Sequence, residues 1–323
     1  MYPKICLLML IAITLVPGCG TSPRARSEKV NNPVQDPLKN SPQVEPPIVA
    51  GDIIPAIPDG AQSDTAPVTA DVQAVNLAPI ALSEKDSMTS VSLDTTNLET
   101  LVLMCGSGPL LIERDSNTQT ISFTAEVVSK ASGLDRAREL ASAVSIAIDD
   151  TAKGRYRVRL IEPQLVDLET CDVKMTVTLP VDENLDFDLD IQDSDGSIVV
   201  DGFRGNLSIT SIKGSIQVLQ SHGKVDISSG DGTCEVVGLE GSLKIRDGNK
   251  DCHVSEITGD VEIWGREGSL EVRYITGNVF LIDGRDGAVI QSIEGDVTLY
   301  GFDPSQCNVE GVSGSVIYKT GAP

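Results

Sequence analysis

A glycine returns every nine residues through the C-terminal part of this chain, and that beat limits what the chain can fold into. The slots are Gly196, Gly205, Gly214, Gly223, Gly232, Gly241, Gly259, Gly268, Gly277, Gly295 and Gly314. Lys250, Asp286 and Ser305 fill the others, and one step, 295 to 305, is ten residues long. So 11 of 14 slots are Gly in a chain with 29 Gly among 323 residues, far above chance. The second and fourth residues after each slot, from Ile198 and Val200 to Val316 and Tyr318, are apolar in all 28 cases. The first and third are apolar in only 4 of 28. Alternation with period two marks a strand with one dry and one wet face, and glycine supplies the corners between strands.

A second period lies on the first. The residue two before every other slot is apolar (Leu239, Ile257, Ile275, Ile293, Val312), while the opposite corner reads Gly230, Gly248, Arg266, Gly284. The unit is therefore about 18 residues: two short strands and two unlike corners. One such unit cannot bury a core alone, so units must stack. The expected fold class is all-β: a right-handed parallel β-solenoid of two-strand rungs, about seven of them between Gly196 and Tyr318. A β-sandwich or meander with regular turns is the alternative, but sandwich strands vary in length and rarely keep so even a beat.

Residues 1–18 read as an export signal: Lys4, an apolar run from Ile5 to Val16, then Val16-Pro17-Gly18-Cys19. The run is too short to span a bilayer. The small residue before Cys19 resembles the bacterial lipobox, which implies cleavage there and acylation of Cys19. That makes an anchored protein rather than a spanning one. Gly20 rather than Asp follows Cys19. In a Gram-negative host, resemblance to sorted lipoproteins implies the outer membrane. Residues 19–88 are rich in Pro, Ser, Asn, Asp and Gln, holding 10 of the 17 Pro within 20–88, and cannot bury a core. They are expected to be a disordered tether.

Residues 89–194 are expected to form an N-terminal cap and the first irregular rungs, ahead of solenoid repeats over 195–323. The candidate strands are 98–105, 110–114, 120–129, 156–162, 172–179 and 185–191. Leu134, Ala137, Ala141, Val144 and Ile148 fall on one helical face, with Ser132 as its cap. Pro180 should end a strand, and Leu189 and Ile191 are already in phase with the repeat. No segment after Tyr318 is long enough to cover the last rung, so end-to-end self-association is an expected partner mode.

Composition excludes some functions. A net charge of −22 argues against nucleic acid, which needs clustered Lys and Arg. Two His (His222, His253), both off the inward positions, leave little for metal or acid–base chemistry and are expected in solvent. No nucleophile elbow, zincin helix motif or phosphate loop is present. The thiols left beside Cys19 are Cys105, Cys171, Cys234, Cys252 and Cys307. Export permits disulfides, and Cys105–Cys171 is the candidate pair. Cys234 and Cys252 should stack inward as small core residues, and no zinc spacing exists. No catalytic, cofactor or metal residue is expected. The outward carboxylates Glu235, Asp251, Asp260, Glu262, Glu271 and Asp296 form an acidic face.

One outward cluster is a candidate binding site: Trp264, Ile282 and Tyr300 share a slot on successive rungs, and Phe280 lies beside Ile282. They should form an exposed apolar strip that meets a partner.

Repeats such as Gly259-Asp260-Val261-Glu262-Ile263 and Gly295-Asp296-Val297-Thr298-Leu299 resemble the bacterial putative-adhesin β-strand-repeat family (domain of unknown function 4097). The lead-in from Met175–Pro180 to Asp186–Gly196 is similar as well. The resemblance spans about residues 90–320 and implies a lipid-anchored, non-enzymatic envelope module that meets a protein or glycan at the surface. Two alternatives stay open. One is a polysaccharide-acting β-helix enzyme. The other is a calcium-stabilised solenoid like those with GGxGxD turns, whose comparable corner here reads Ser229, Asp247, Gly265, Asp283, Gly301.

Overall fold

The computed structural model describes residues 82–182, 185–284 and 286–320. The export signal, Cys19 and the tether up to residue 81 lie outside the described residues. Strands β1 (Ser83–Leu93), β2 (Thr100–Met104), β3 (Leu110–Asp115) and β4 (Ile121–Ala131) precede helix α1 (Leu134–Ala143). Then come β5 (Ser145–Ala152), β6 (Arg155–Ile161), β7 (Thr170–Pro180), β8 (Asp188–Ser194) and β9 (Ile198–Asp201). The repeats continue with β10 (Leu207–Lys213), β11 (Ile216–Leu219), β12 (Val225–Asp231), β13 (Cys234–Glu240), β14 (Leu243–Gly248) and β15 (Cys252–Thr258). The remaining strands are β16 (Val261–Arg266), β17 (Leu270–Thr276), β18 (Val279–Gly284), β19 (Ala288–Glu294), β20 (Val297–Tyr300), β21 (Cys307–Val312) and β22 (Val316–Lys319).

From β8 onward the even strands stack in one sheet and the odd strands in another. Each pair is parallel and offset by 18 residues, as in Leu207 on Val225 on Leu243 on Val261. The offset becomes 19 at the last rung (Ala288 to Cys307, Val297 to Val316), where the ten-residue step falls. A 3-10 turn at Pro304–Gln306 takes up the extra residue, with Asp303 accepting from the Ser305 N–H at 2.9 Å. The solenoid expected from the repeat is what forms. The inward columns make one continuous core that runs into the cap.

The cap is built in an order that the repeat does not announce. β2 and β3 are the first rung, since Leu101 pairs with Leu189 and Leu110 with Ile198. Residues 116–187 leave the stack before β8 returns to it. Within that excursion β6 and β7 slot in parallel on the far side of the first rung, Tyr156 against Leu101 and Met175 against Leu110. β4, β1 and β5 then close that end with antiparallel pairing.

Three expectations about this region need correction. First, β1 starts at Ser83, inside the segment read as tether. Its alternation is weak because most of its residues stay exposed; only Leu93 is buried. Second, the helix stops at Ala143, and Gly133 rather than Ser132 is its N-cap, with no side-chain hydrogen bond. Val144 is the C-cap in extended backbone, and Ile148 belongs to β5. Ile146 and Ile148 alternate toward the core, and a spacing of four fits a strand face as well as a helix face. Third, Cys105 and Cys171 are free thiols. Cys105 lies buried against Met175, its Sγ 3.8 Å from the Met175 Sδ, whereas Cys171 sits four residues earlier on β7. At roughly 3.3 Å per residue, that places Cys171 well out of bonding reach. Burial pushes the Cys105 thiol up to about 12. Cys234 and Cys252 are buried and in register on adjacent rungs, as expected.

The corners explain where glycine is required. From β10 onward the corner entering each even strand carries Gly205, Gly223, Gly241, Gly259, Gly277, Gly295 and Gly314, all glycine; Lys250, Asp286 and Ser305 all fall on the other corner. At Gly241, φ is +148° and a Cβ would lie 1.9 Å from the Gly223 carbonyl oxygen one rung below. A further column was not foreseen. Gly202, Gln220, Gly238, Glu256, Tyr274, Ser292 and Gly311 all have φ between +45° and +72°. This left-handed residue turns the odd strand so that the next side chain, such as Leu239 or Ile257, enters the core. For an L-residue that conformation costs about 1–2 kcal/mol. Stacking against the neighbouring rungs must exceed that cost at Gln220, Glu256, Tyr274 and Ser292.

The outward carboxylates also have a structural use. Asp260 accepts from the Asn278 N–H at 2.8 Å, Asn278 from the Asp296 N–H at 3.1 Å, and Asp296 from the Ser315 N–H at 2.7 Å. On the other corner Asp251 accepts from the Ser269 N–H at 3.0 Å. These side chains satisfy corner donors that the ladders leave over.

Candidate interaction surface

The outer face of the even sheet presents two columns of outward side chains. Parallel register sets Lys244 beside Glu262, then Phe280, Thr298 and Ile317. The second column runs Arg246, Trp264, Ile282, Tyr300, Lys319. Neighbours in a column are about 4.8 Å apart, one strand spacing. The four residues picked from sequence are thus brought together on three successive rungs.

Their exposure differs from the expected open strip. Trp264 is 37% exposed, but Ile282 is only 9% exposed. An aliphatic chain one strand spacing from a ring on either side is covered by both. Phe280 and Tyr300 are half-buried and meet edge to face, with ring centroids 5.2 Å apart at 61°. The surface offered outward is therefore the Trp264 and Tyr300 rings and the cations beside them.

Those cations are placed by short contacts. The Lys244 Nζ sits 4.9 Å from the Trp264 ring centroid and 2.8 Å from Glu262 Oε1. The Trp264 indole N–H donates to the same oxygen. Desolvation pushes Glu262 up, but hydrogen bonds from Lys244 and Trp264 and the charges of Lys244 and Arg246 outweigh it, so its carboxyl lies below the usual range. At the other end Lys319 Nζ lies 5.0 Å from the Tyr300 centroid and 3.0 Å from its hydroxyl. Cation–π contacts of this exposed kind contribute about 0.5–1 kcal/mol each. Together they favour these ring orientations in the free chain. Lys244 and Lys319 were not picked from the sequence. For Lys319 the signal was there, since it lies one rung from Tyr300 at the 19-residue last step, whereas Lys244 is in register with Glu262 and reaches the Trp264 ring diagonally.

Nearer the cap, the same face holds a groove of about 500 Å³, lined by Arg155, Asp188, Asp190, Asn206, Lys224 and Asp226 among others. Asp188 and Asn206 are already joined at 2.8 Å. Arg155 reaches this wall from β6, in the excursion, so no spacing in the sequence points to it.

The two His are not free in solvent as expected. His253 Nδ1 lies 3.2 Å from Glu271, and Arg273 contacts the same carboxylate; His222 Nε2 lies 3.2 Å from Glu240. Both imidazoles are half-buried, because rungs stack each outward side chain on the next. Among the described residues no three His, Cys, Asp or Glu side chains converge as metal ligands. The side chains of Asp247 and Asp283, on which the calcium alternative turns, lie outside the described residues.

No family model and no curated protein matches the sequence. Solved structures similar to this chain include a putative cell adhesion protein from Clostridium sporogenes ATCC 15579. It is 12% identical, over 73% of this chain and 100% of that one, with a TM-score of 0.32. A putative adhesin from Bacteroides fragilis NCTC 9343 is 12% identical over 72% of this chain and 97% of its own, with a TM-score of 0.41. A putative lipid binding protein from Parabacteroides distasonis ATCC 8503 is 8% identical over 73% and 95%, with a TM-score of 0.27.

Proposed function

We propose that this chain is a non-enzymatic lipoprotein of the cell envelope, held by an acylated Cys19 and a Pro-rich tether, that meets a protein or glycan through the ring-and-cation strip. In a Gram-negative host the membrane is the outer one. The observation that supports the reading is the pre-set pair of rings, Trp264 and Tyr300, each with a lysine on its face. Trp and Tyr are among the side chains most often found at the energetic centres of interfaces. A flat sheet face with rigid side chains suits a broad partner better than a small enclosed substrate.

Two experiments test it. The chain is used to capture partners from envelope extracts, and affinity is then measured for the captured partner. Trp264→Ala/Tyr300→Ala should weaken binding at least tenfold, as loss of about 2 kcal/mol or more at an interface centre implies. Melting should stay close to wild type, since both side chains are outward. Unchanged affinity in the double variant defeats the binding role. For the anchor, Cys19→Ser should abolish acyl labelling and move the protein out of the membrane fraction. Retention in membranes without labelling defeats that part.

A further inference from the structure

The last rung differs from all those before it. On β19 and β20 the inward residues Ala288, Ile290, Val297 and Leu299 are buried. Their successors one rung on are not: Val316 and Tyr318 are each 39% exposed, and Cys307, Val309 and Val312 are only half-buried. β21 and β22 are the terminal strands of their sheets. In a parallel ladder each residue turns its N–H and C=O to one side, and the next residue turns them to the other. Val297 donates to the Ser315 oxygen and Gly301 to the Lys319 oxygen, so alternate residues of β22 serve β20. Val316 and Tyr318 therefore turn their main-chain groups outward, and by the same pattern so does Val309, while the Cys307 N–H is given to the Pro304 carbonyl in the 3-10 turn. Val309, Val316 and Tyr318 carry partly exposed apolar side chains and main-chain groups turned away from the stack, on both sheets at once.

We propose that this end is a docking surface for the same end of a second copy of this chain, joining two stacks tail to tail through antiparallel β pairing. An occupant has to offer two strand edges about 10 Å apart with an apolar seam between them. The identical end of another copy has that shape by construction, and a two-fold axis makes it self-complementary. The opposite end of the stack does not. There the edge strands carry Glu84, Lys85 and Asp86 on β1 and Asp149 and Asp150 on β5, charges of the kind that block edge pairing. A head-to-tail filament is accordingly not expected. The Pro-rich residues 20–81 make a poor occupant, because each Pro lacks the donor a ladder needs.

Sedimentation of the full chain across a concentration series tests this. A species of twice the chain mass, with nothing larger, is the expected result. Tyr318→Pro removes one outward N–H without touching the bonds to β20 and should weaken the dimer at least tenfold. Val316→Lys should abolish it. Both variants should keep the wild-type circular dichroism and melting profile, since an end rung adds little to a stack. A monomer at every concentration overturns the proposal. So does a ladder of larger species, or a dimer untouched by either folded variant.

Discussion

Gly241→Ala is expected to destabilise the folded chain by about 3–5 kcal/mol, read from the midpoint of denaturant unfolding. Two effects add. The backbone at Gly241, with φ +148°, lies where L-residues are rarely found. The new methyl would also stand 1.9 Å from the Gly223 carbonyl oxygen and 2.6 Å from its carbon. Backbone cannot rotate away as a side chain can, so two rungs must part or shear. Parting them breaks ladder bonds in both sheets and opens the common core. Gly133 is the control: its Cβ would meet nothing within 4 Å, and its φ of −163° is ordinary extended backbone. Gly133→Ala should cost no more than about 1 kcal/mol. Equal effects at the two sites would mean that close stacking at the corner is not what holds the rungs.

Phe203→Ala is the second large effect, with an expected loss of about 3–5 kcal/mol. Phe203 is 1% exposed and follows Gly202, whose φ of +71° turns the chain out of β9 and aims the ring inward. It meets Phe187 edge to face, with centroids 5.3 Å apart at 80°. Phe187 stands just ahead of β8, where the chain returns from the excursion to the stack. The two rings thus fasten the join between cap and repeats. Removing one leaves a cavity at a place where the backbone cannot collapse, because rungs on either side fix it. In a double-mutant cycle with Phe187→Ala, coupling of about 0.5–1.5 kcal/mol is expected beyond the shared burial. A loss under about 1 kcal/mol for Phe203→Ala would show that this corner is loosely filled.

Much of the solenoid was legible because stacking is periodic and so is its cause. A two-residue alternation fixes which side chains face inward, and the 18-residue spacing fixes which lie on one another. Leu189 and Ile191 were already seen to be in phase, and they pair with Leu207 and Ile209. The ring strip was found by the same arithmetic. Its exposure was not: spacing locates Ile282 between Trp264 and Tyr300 but does not say that two large neighbours cover a smaller one. Nor did spacing give the orientation of Lys244, which depends on Glu262 and Trp264 sharing one contact.

The left-handed column shows a different limit. Glycine at Gly202, Gly238 and Gly311 hints at it, but Gln220, Glu256, Tyr274 and Ser292 adopt the same conformation with no local preference for it. Neighbouring rungs impose that shape, so a reading of one rung at a time misses it.

By itself the amino-acid order determined the rung: its length, its inward residues, and the corner at which only glycine fits. Those are local or nearest-neighbour properties, and each repeat restates them. Tertiary structure alone decided that residues 116–187 leave the first rung and return to cover it from the far side, and that β1 closes the cap at that end of the stack. Those outcomes depend on contacts between segments far apart in the chain. Such contacts form only when the whole stack exists to receive them, and no periodic pattern encodes which distant segment fills an end.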